Sequence, residues 1–431
     1  MSELRLAVRL DGFDKPVGML IRGQNASLNF QYRDDYLRLP DAMPLSLSLP
    51  LKDGPIGDGL TRSFFNNLLQ ERNAPLQMIM EREGIARDDL AGLLFHLGKD
   101  CAGAISVLPE GAPPTKVPGN YETDYEPISD QELIKIVESL HSRRKPPDEM
   151  QDPSPLAGVQ SKISLTILPN GQAALPRAGT GAPTTHMFKV PGRQNLDDAK
   201  LEAAALDLSR TCDLETTRAG VEKIGGIDVL IASRFDRALN EHGQIIRLHQ
   251  EDFAQAIGLP PSLKYQRNGN VGRRFDVPAI KKVLDQTIEP AVSRLEFIKL
   301  TVFDLLIGNA DGHAKNHALL YRTRNRPQLS PRYDILPTRI DPNLTDELPY
   351  NIGSATRIDE VTKTEFSKFL GDLGVTSKGA QARITSEIAT PIARKLSQLL
   401  TTIQSDGSKG LADLIASNMR QFLPELEIPI P

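Results

Sequence analysis

The sequence is poor in cysteine. Cys101 and Cys212 are the only two among 431 residues. Two cysteines make no disulfide framework, and so few of them suit a protein of the reducing cytosol. We therefore predict that both are buried, unpaired thiols.

An excess of basic residues is also lacking. Lysine and arginine number 51 against 55 aspartates and glutamates, which gives a formal net charge of −4. This balance excludes a protein that binds nucleic acid through its overall charge. It does not exclude a local basic patch on the surface. The arginines that flank Asp334 are expected to form a solvated face, or else a contact for an acidic partner or nucleic acid. They are Arg322, Arg324, Arg326, Arg332 and Arg339.

Long hydrophobic runs are absent as well. Apolar stretches such as residues 302–308 are far shorter than the about 20 residues that span a bilayer. The first residues, with Glu3 in an alternating segment, do not have the pattern of a secretory signal. We expect no membrane partner and a cytoplasmic location. The content of 39% hydrophobic and 25% charged residues is typical of a folded protein, here of two or three domains.

Hydrophobic periodicity predicts an α+β domain over residues 1–150. Apolar and polar side chains alternate at 4–10 and 27–32, which predicts strands, and helical spacing follows from Thr61. Residues 143–155 mix four prolines with charges and show no periodicity, as is typical of a boundary between domains.

A capping-box signature, Ser129 with Glu132, predicts one more helix before that boundary. Beyond it, we predict a strand-rich lobe over 151–240 and a mainly helical lobe over 241–431. The strand-rich lobe has strand patterns at 161–168, 186–190 and 227–235 and a helix pattern at 197–211. The helical lobe has helix patterns at 250–258, 291–308, 363–373, 380–404 and 408–421.

The stretch 303–317, FDLLIGNADGHAKNH, carries the strongest chemical signal. An apolar helix is predicted to end at Gly308 and to lead into a polar loop. In that loop Asp311 and Asn316 have the spacing D-x-x-x-x-N, and Asp334 follows in YDIL. This is the order of a kinase catalytic centre, in which a carboxylate accepts the proton of the attacking hydroxyl and an Asn and an Asp hold Mg²⁺.

A kinase also needs a lysine on a strand that reaches the nucleotide phosphates. Lys189 in HMFKV lies in such a predicted strand, and Glu202 on the next helix could pair with it. Upstream, LAGVQSK at 156–162 could cover the phosphates, because Gly158 allows close backbone approach and Lys162 adds charge. Each element alone is a weak signal, and their order along the chain is the stronger one.

Other interpretations of the polar loop stay open. Asp311 could belong to an ordinary turn, and Asn316 could cap a helix. His313 and His317 have the H-x-x-x-H spacing of a zinc site. However, Lys315 stands between them where a zinc hydrolase of that kind carries a glutamate.

Several segments together resemble the HipA family of bacterial serine/threonine kinase toxins. They are LAGVQSK (156–162), THMFKVP (185–191), SRFDR (233–237), GLPPSLKY (258–265), LLIGNADGHAKNHAL (305–319) and LSPRYDILPT (329–338). The resemblance extends over most of the chain, up to about residue 360. It implies a two-lobed protein-kinase-like fold behind an N-terminal α+β subdomain, with ATP and Mg²⁺ as cofactors.

The same resemblance implies roles for individual residues. Asp311 would be the catalytic base, and Asn316 and Asp334 would be the ligands of Mg²⁺. A phosphate-covering loop and a hinge that holds the adenine would bind the nucleotide. The residues expected to do so are Ala157, Gly158, Val159, Gln160, Ser161, Lys162, Lys189, Ser233, Arg234, Phe235, His313 and Lys315.

Members of this family are the toxin of a toxin–antitoxin pair. They phosphorylate an aminoacyl-tRNA synthetase, often the glutamyl enzyme, and a small helix-turn-helix antitoxin that binds the operator neutralises them. The resemblance therefore implies a protein substrate such as glutamyl-tRNA synthetase and an antitoxin of the HipB type. It implies contact with DNA only through that antitoxin, which the net charge of −4 fits.

Two positions depart from the family pattern. Pro155 stands where members that silence themselves by autophosphorylation carry a serine, so that control is absent or moved to a neighbour such as Ser154 or Ser161. Ser233 replaces the usual glutamate of the hinge. These departures support a competing hypothesis, a catalytically silent partner and co-repressor with the antitoxin. A third hypothesis is a small-molecule kinase of similar fold.

Overall fold

The computed structural model of this chain describes residues 3–69, 74–143, 147, 161–194, 196–323, 326–405 and 409–431. The strands in these residues are β1 (Leu4–Leu10), β2 (Gly18–Arg22), β3 (Leu28–Tyr32), β4 (Ile105–Pro109), β5 (Tyr125–Pro127), β6 (Ser161–Ile167), β7 (Ala173–Pro176), β8 (His186–Val190), β9 (Ala219–Ile224), β10 (Ile227–Ser233), β11 (Arg237–Leu239), β12 (Ile245–Arg247), β13 (His249–Asp252), β14 (Ala318–Tyr321), β15 (Gln328–Leu329), β16 (Glu347–Ile352) and β17 (Ala355–Arg357). The helices are α1 (Asp34–Leu37), α2 (Asp58–Asn66), α3 (Ala74–Glu83), α4 (Leu90–Leu97), α5 (Asp130–Arg143), α6 (Asp198–Thr211), α7 (Phe253–Ala256), α8 (Val277–Leu284), α9 (Pro290–Ile307), α10 (Lys363–Asp372), α11 (Lys378–Ser405) and α12 (Lys409–Glu425).

The chain forms two compact units, each built from several stretches of sequence. Unit 1 comprises Met1–Ala199, Arg218–Glu251 and Leu320–Asn325. Unit 2 comprises Lys200–Thr217, Asp252–Leu319 and Arg326–Pro431. The division into three domains made from the sequence stays a prediction.

Unit 1 contains an antiparallel sheet with the strand order β3-β2-β1-β4. Alternation along β1 places Leu6 and Val8 in the core. Leu6 lies opposite Leu20 of β2, and Val8 lies opposite Val107 of β4. Helices α2 and α4 contact this sheet. The strand predicted at 4–10 is therefore confirmed.

The second sheet of unit 1 has the strand order β5-β7-β6-β8-β10-β9. Helix α5 contacts its strands, and the shared core includes Ile163 and Phe188. The predicted capping box is present, because the main-chain N–H of Ser129 donates to Oε2 of Glu132 at 3.0 Å. In return, the N–H of Glu132 donates to Oγ of Ser129 at 3.3 Å. These bonds satisfy amides that a helix start leaves without partners.

Unit 2 is built mainly from helices. Every residue of α9 from Leu300 to Ile307 is buried, which is typical of a helix enclosed on all sides. Helices α8, α11 and α12 contact α9, and α10 contacts α8 and α11. The helices predicted from residue 291 onward are confirmed as α9 to α12, with boundaries shifted by a few residues.

The prediction of a helix at 250–258 is wrong. Strand β13 occupies His249–Asp252, and only Phe253–Ala256 are helical, capped by the side chain of Asp252, which accepts the N–H of Gln255. The four residues of β13 are all polar, so no apolar periodicity distinguished a strand from a helix there. Helix α8 and the hairpin of β16 and β17 were not predicted.

Both cysteines are free and buried, as predicted. Burial raises the pKa of the Cys101 and Cys212 thiols to about 12. In the ranges that the structure describes, no helix is both long enough and apolar enough to cross a membrane.

Candidate active site

Helix α9 ends at Gly308, where the polar loop of unit 2 begins. Gly308 has a φ of +76°, in the left-handed region, and its N–H donates to the carbonyl oxygen of Asp304. A Cβ at this position would lie 2.8 Å from Cδ2 of Leu414. Any other residue would therefore meet both an unfavourable backbone conformation and a collision.

Two asparagines hold the main chain of Asp311. Its N–H donates to Oδ1 of Asn309 at 3.0 Å, and its carbonyl oxygen accepts from Nδ2 of Asn316 at 2.8 Å. Among the described residues, no donor reaches Oδ1 of Asn316, so this oxygen is available to a cation. Asn316 stands at the end of a 3₁₀ turn, not at a helix start, which removes the capping interpretation. The loop thus joins the two ends of the D-x-x-x-x-N spacing.

The carboxylate of Asp311 is partly buried and accepts a hydrogen bond at Oδ1 from the hydroxyl of Tyr265. Burial raises the pKa of Asp311 above its ordinary value, and the hydrogen bond from Tyr265 opposes that rise. The negative charge of Asp334 raises the pKa further. A carboxylate with a raised pKa is a better proton acceptor, so Asp311 suits the role of a general base.

Asp334 is the second acidic group at this site. Its side chain is exposed, and its φ of +56° lies in the left-handed region, which is uncommon outside glycine. Its negative charge raises the pKa of Asp311 and that of His313, so Asp334 lies near both side chains. The structure thus brings together Asp311, Asn316 and Asp334 in unit 2.

His313 and Lys315 are held within unit 2. The His313 ring packs edge-on against the Tyr265 ring, 5.1 Å between centroids, and its buried Nδ1 has no partner among the described residues. Burial lowers the pKa of His313 to about 3, and the charge of Lys264 lowers it further. Nζ of Lys315 forms an ion pair with Oδ2 of Asp252 at 2.7 Å. Lys315 therefore has a carboxylate partner within its own unit.

His317 does not join His313 at a metal site. Its Nε2–H donates to the carbonyl oxygen of Gly312 at 3.0 Å, and its ring lies against Phe253 and Phe297. In the part of the chain that the structure describes, no group of three or more His, Cys, Asp or Glu residues is placed to hold a metal ion. The zinc interpretation of the two histidines therefore has no support.

A buried ion pair anchors the loop to α9. Nη2 of Arg332 donates to both carboxylate oxygens of Asp304 at 2.8 Å, and Nδ2 of Asn309 donates to Oδ1 of Asp304 at 3.1 Å. The Arg332 side chain is only 9% exposed. The prediction of a solvated face is therefore wrong for Arg332, because a carboxylate inside an apolar helix needs a partner.

The two lysines predicted to bind phosphate lie together in unit 1. Lys162 of β6 is directly opposite Lys189 of β8 in the register of the sheet. Both side chains therefore stand on one face, and Ile163 and Phe188 point to the other, which packs against α5. The register thus places two lysine side chains next to each other on this face of the sheet. Ser161 begins β6, whereas Ala157, Gly158, Val159 and Gln160 lie outside the described residues.

The predicted hinge follows β10 in unit 1. The main-chain N–H of Arg234 donates to the carbonyl oxygen of Thr185 at 2.9 Å. Its guanidinium donates to both carboxylate oxygens of Asp236 at 3.0 Å. The Arg234 side chain is thus held by Asp236.

Sequence reasoning missed Tyr265, Asp304, Asn309 and Arg332 as parts of this site. Three of them stood inside segments that carried the family resemblance, so their position was a signal: Tyr265 in GLPPSLKY, Asn309 in the polar loop and Arg332 in LSPRYDILPT. For Asp304 the signal was an acidic residue within an apolar helix. Nothing in the sequence indicated that Arg332 would pair with Asp304, which lies 28 residues away.

The α+β fold of this chain matches a solved structure. A chain of the HipA, HipB and operator DNA complex from Shewanella oneidensis superposes with a TM-score of 0.79 and 23% sequence identity, over 98% of both chains. The fold predicted from the sequence is thereby confirmed: the protein has an α+β, kinase-like fold.

Family models match both halves of the sequence. The HipA N-terminal domain matches residues 6–108, and the HipA-like C-terminal domain matches residues 154–399, more than half of the chain. The chain belongs to the HipA family. A Sinorhizobium fredii protein named "Putative kinase Y4mE" is 30% identical over 88% of this chain and 89% of its own. The serine/threonine-protein kinase toxin HipA of Shewanella oneidensis is 27% identical over 84% of this chain and 81% of its own.

Proposed function

We propose that this chain is an ATP-dependent serine/threonine protein kinase. The observation that carries the proposal is the fixed carboxylate of Asp311, whose Oδ1 is bound by Tyr265 and whose main chain is bound by Asn309 and Asn316. Relatives that are named kinases support the same activity. Phosphoryl transfer asks a protein mainly for positioning and charge neutralisation, and a preorganised base meets the first need.

Asp311 would accept the proton of the attacking Ser or Thr hydroxyl. Oδ1 already accepts the hydrogen bond of Tyr265, so the proton would be taken at Oδ2. The raised pKa of Asp311 favours this transfer. Bound ATP would supply the γ-phosphoryl group, and bound Mg²⁺ would neutralise charge on its phosphates.

The residues of unit 2 fit a magnesium ion. Oδ1 of Asn316 accepts no hydrogen bond from the described residues, and Asp334 presents an exposed carboxylate. Oxygen atoms of carboxylates and amides are the ligands that Mg²⁺ prefers. In the proposal, Asn316 and Asp334 hold the ion.

Nucleotide binding is proposed for the residues that the family resemblance assigns to it. The cross-strand pair Lys162 and Lys189 supports a role in binding phosphates, together with residues 157–161, and residues 233–235 would hold the adenine through the main chain. His313 and Lys315 belong to the same proposed set.

The substrate proposed is a translation protein, an aminoacyl-tRNA synthetase such as glutamyl-tRNA synthetase. The partner proposed is a helix-turn-helix antitoxin of the HipB type, with DNA contacted through it. The solved complex of HipA, HipB and operator DNA, whose HipA chain shares this fold, supports the partner. A cytoplasmic location follows from that assignment.

The test measures transfer from γ-labelled ATP in the presence of Mg²⁺. Purified wild-type protein, Asp311→Asn and the control Asp207→Asn are each added to a dialysed cell extract, and labelled proteins are read on a gel. Asp207 is exposed on α6, so its substitution leaves the Asp311 loop untouched. We expect a labelled band with the wild type and the control that is lost with Asp311→Asn.

The mass of that band would point to the substrate, and a band at the chain's own mass would show self-modification despite Pro155. If no labelled band depends on Asp311 although MgATP still binds, the result would favour the catalytically silent co-repressor. Pro155 and Ser233 are the residues that support this alternative. Label in metabolites of a protein-free extract would identify a small-molecule kinase.

A further inference from the structure

Unit 1 contains a cleft of about 490 Å³ that the proposed kinase function does not use. It is lined by the turn after β1, by residues 114–118, and by β12 and the start of β13. Small-molecule sites typically have volumes of about 300 to 1,000 Å³, so the cleft is large enough to enclose a metabolite. Its apolar walls include Phe13 and Met43.

Arg9 gives this cleft a positive charge for which the described residues provide no carboxylate partner. Its Nη1 donates to the main-chain carbonyl of Asp14 at 3.2 Å, and its Nη2 donates to that of Ala112 at 3.5 Å. Its Nε is buried and has no hydrogen-bond partner among the described residues. The side chain is thus held in place by neutral groups, and one N–H lacks an acceptor. An acidic ligand would supply both a charge and that acceptor.

Three other cations line the cleft, Arg247, Lys116 and Arg322, and the first two are already neutralised. Arg247 donates to Asp11 at 2.7 Å and to Asp100 at 3.0 Å, and Lys116 forms an ion pair with Asp100 at 3.0 Å. Burial alone would raise the pKa of Asp100, but these cations hold it below its ordinary value. Asp11 and Asp100 thus pair with Arg247 and Lys116, and within the described residues neither forms an ion pair with Arg9.

His249 adds a second group that lacks a partner. It is only 5% exposed, and its Nε2–H donates to the carbonyl oxygen of Leu45 at 3.0 Å. That bond fixes the proton on Nε2 and leaves Nδ1 as an acceptor, for which the described residues provide no donor. The ring is kept in place by Tyr321, 5.0 Å away between ring centroids. Buried polar atoms normally have partners, so this acceptor points to a ligand.

We propose that the cleft binds an anionic small molecule that also carries a hydrogen-bond donor. Its acidic group, a phosphate or a carboxylate, contacts Arg9, and its hydroxyl or amide N–H donates to Nδ1 of His249. The site is distinct from the residues assigned to phosphoryl transfer, and it does not depend on kinase activity.

The test measures binding to the full chain by calorimetry and by the shift in melting temperature. The probes are glucose 6-phosphate and glucuronate, which combine hydroxyl groups with a phosphate or a carboxylate, and neutral glucose. The variants are Arg9→Gln and Arg5→Gln. Arg5 lies on the same strand β1 but pairs with Glu110 outside the cleft, so it is the matched control.

We expect at least one anion to bind and to raise the melting temperature, with no binding of glucose. Arg9→Gln should weaken that binding by about tenfold or more, the size expected for the loss of a hydrogen bond to a charged group, and Arg5→Gln should not. If only one of the two anions binds, its acidic group, phosphate or carboxylate, identifies the chemical class of the ligand.

The proposal is overturned if neither anion binds at millimolar concentration, or if Arg9→Gln binds as tightly as the wild type. Should Arg9→Gln fail to fold, Arg9→Lys decides the matter. This variant keeps the charge but loses the Nε–H, so undiminished affinity for the anions would equally overturn the proposal. His249→Phe should also weaken binding of the anion, because the ligand hydroxyl then loses Nδ1 as its acceptor.

Discussion

Tyr265 and Asp311 lie 46 residues apart in the chain, and the phenol of one donates a hydrogen bond to the carboxylate of the other. The guanidinium of Arg267 lies over the Tyr265 ring, 4.0 Å from its centroid, and His313 packs against the ring edge. The tyrosine is therefore positioned on two sides. It orients one oxygen of Asp311 and leaves the other to accept a proton.

Replacing this tyrosine tests its role as a positioning residue. Tyr265→Phe should lower kcat for phosphoryl transfer by about tenfold, because one hydrogen bond to a charged group is lost. That bond lowers the pKa of Asp311, so its loss should also move the acidic limb of the pH–rate profile to higher pH. The control is Tyr333→Phe, which removes a bond to the Lys315 carbonyl and spares Asp311. An unshifted limb in Tyr265→Phe would contradict the assignment.

The glycine at the end of α9 can be tested against a glycine of equal backbone conformation. Gly308 and Gly54 both have a φ of +76°, but a Cβ at Gly54 would meet no atom within 4 Å. Both alanine variants should lose about 1 to 2 kcal/mol of unfolding free energy through the left-handed conformation. Gly308→Ala should lose a further about 1 to 3 kcal/mol because it collides with Leu414. Urea unfolding measures the difference, and equal losses would exclude the collision.

The buried ion pair of Asp304 and Arg332 should contribute far more to the free energy of unfolding than the more exposed ion pair of Asp285 and Arg294. Arg332→Ala leaves a buried carboxylate without its cation and should cost about 3 to 5 kcal/mol in urea unfolding. Arg294→Ala, which removes a more exposed partner of Asp285, should cost less than about 1 kcal/mol. Adding Asp304→Asn to Arg332→Ala should restore part of the loss. A double variant no more stable than Arg332→Ala would refute the account.

Three buried histidines should make the protein sensitive to acid. Burial lowers the pKa of His249 to about 4 and those of His313 and His317 to about 3, whereas an unfolded chain binds these protons near pH 6.5. As the pH falls below about 6.5, the unfolded state gains protons that the native state does not. The unfolding free energy should then drop by up to about 1.4 kcal/mol per pH unit for each histidine.

Unfolding in urea between pH 7 and pH 5 measures this slope. His317→Gln should reduce the slope of unfolding free energy against pH by the contribution of about one proton. Glutamine can still donate to the Gly312 carbonyl but does not titrate. His242→Gln, at an exposed position, should leave the slope unchanged. Carboxylates contribute equally to all three proteins, so the differences belong to the histidines.

The two thiols should be inert in the folded protein. Both are buried, and burial raises each pKa to about 12, so almost no thiolate forms at pH 8. A disulfide reagent such as dithionitrobenzoate should therefore release no colour from the native chain. Two equivalents should appear after denaturation in urea. Rapid reaction of native protein would show that one of the thiols is accessible.

Local patterns were enough for much of the fold. Strand β1, the capping box at Ser129 and the apolar helix α9 with its glycine stop all follow from neighbours within a few residues, and all are present. Strand β9 was missed because it is mostly exposed and offers no regular apolar face. Residues 250–258 were misread because β13 consists of polar residues, which provide no apolar periodicity to indicate a strand.

The candidate site was only partly accessible from the sequence. Asp311 and Asn316 are close in the chain, so their spacing was visible, and the structure joins them through the Asp311 carbonyl. Tyr265 and Arg332 act across tens of residues, and no periodicity links them to their carboxylates. Such pairs are set by the fold, which explains why Arg332 was taken for a surface residue.

The order of the strands has a consequence for the protein during its synthesis. The sheet of β1 to β4 is complete once Pro109 has been made, while Asp334 comes far later in the chain. At about 5 to 20 residues per second, a ribosome needs roughly 10 to 45 s to cover that interval. A nascent chain can therefore fold its first sheet, and expose it to the cell, well before the residues assigned to catalysis exist.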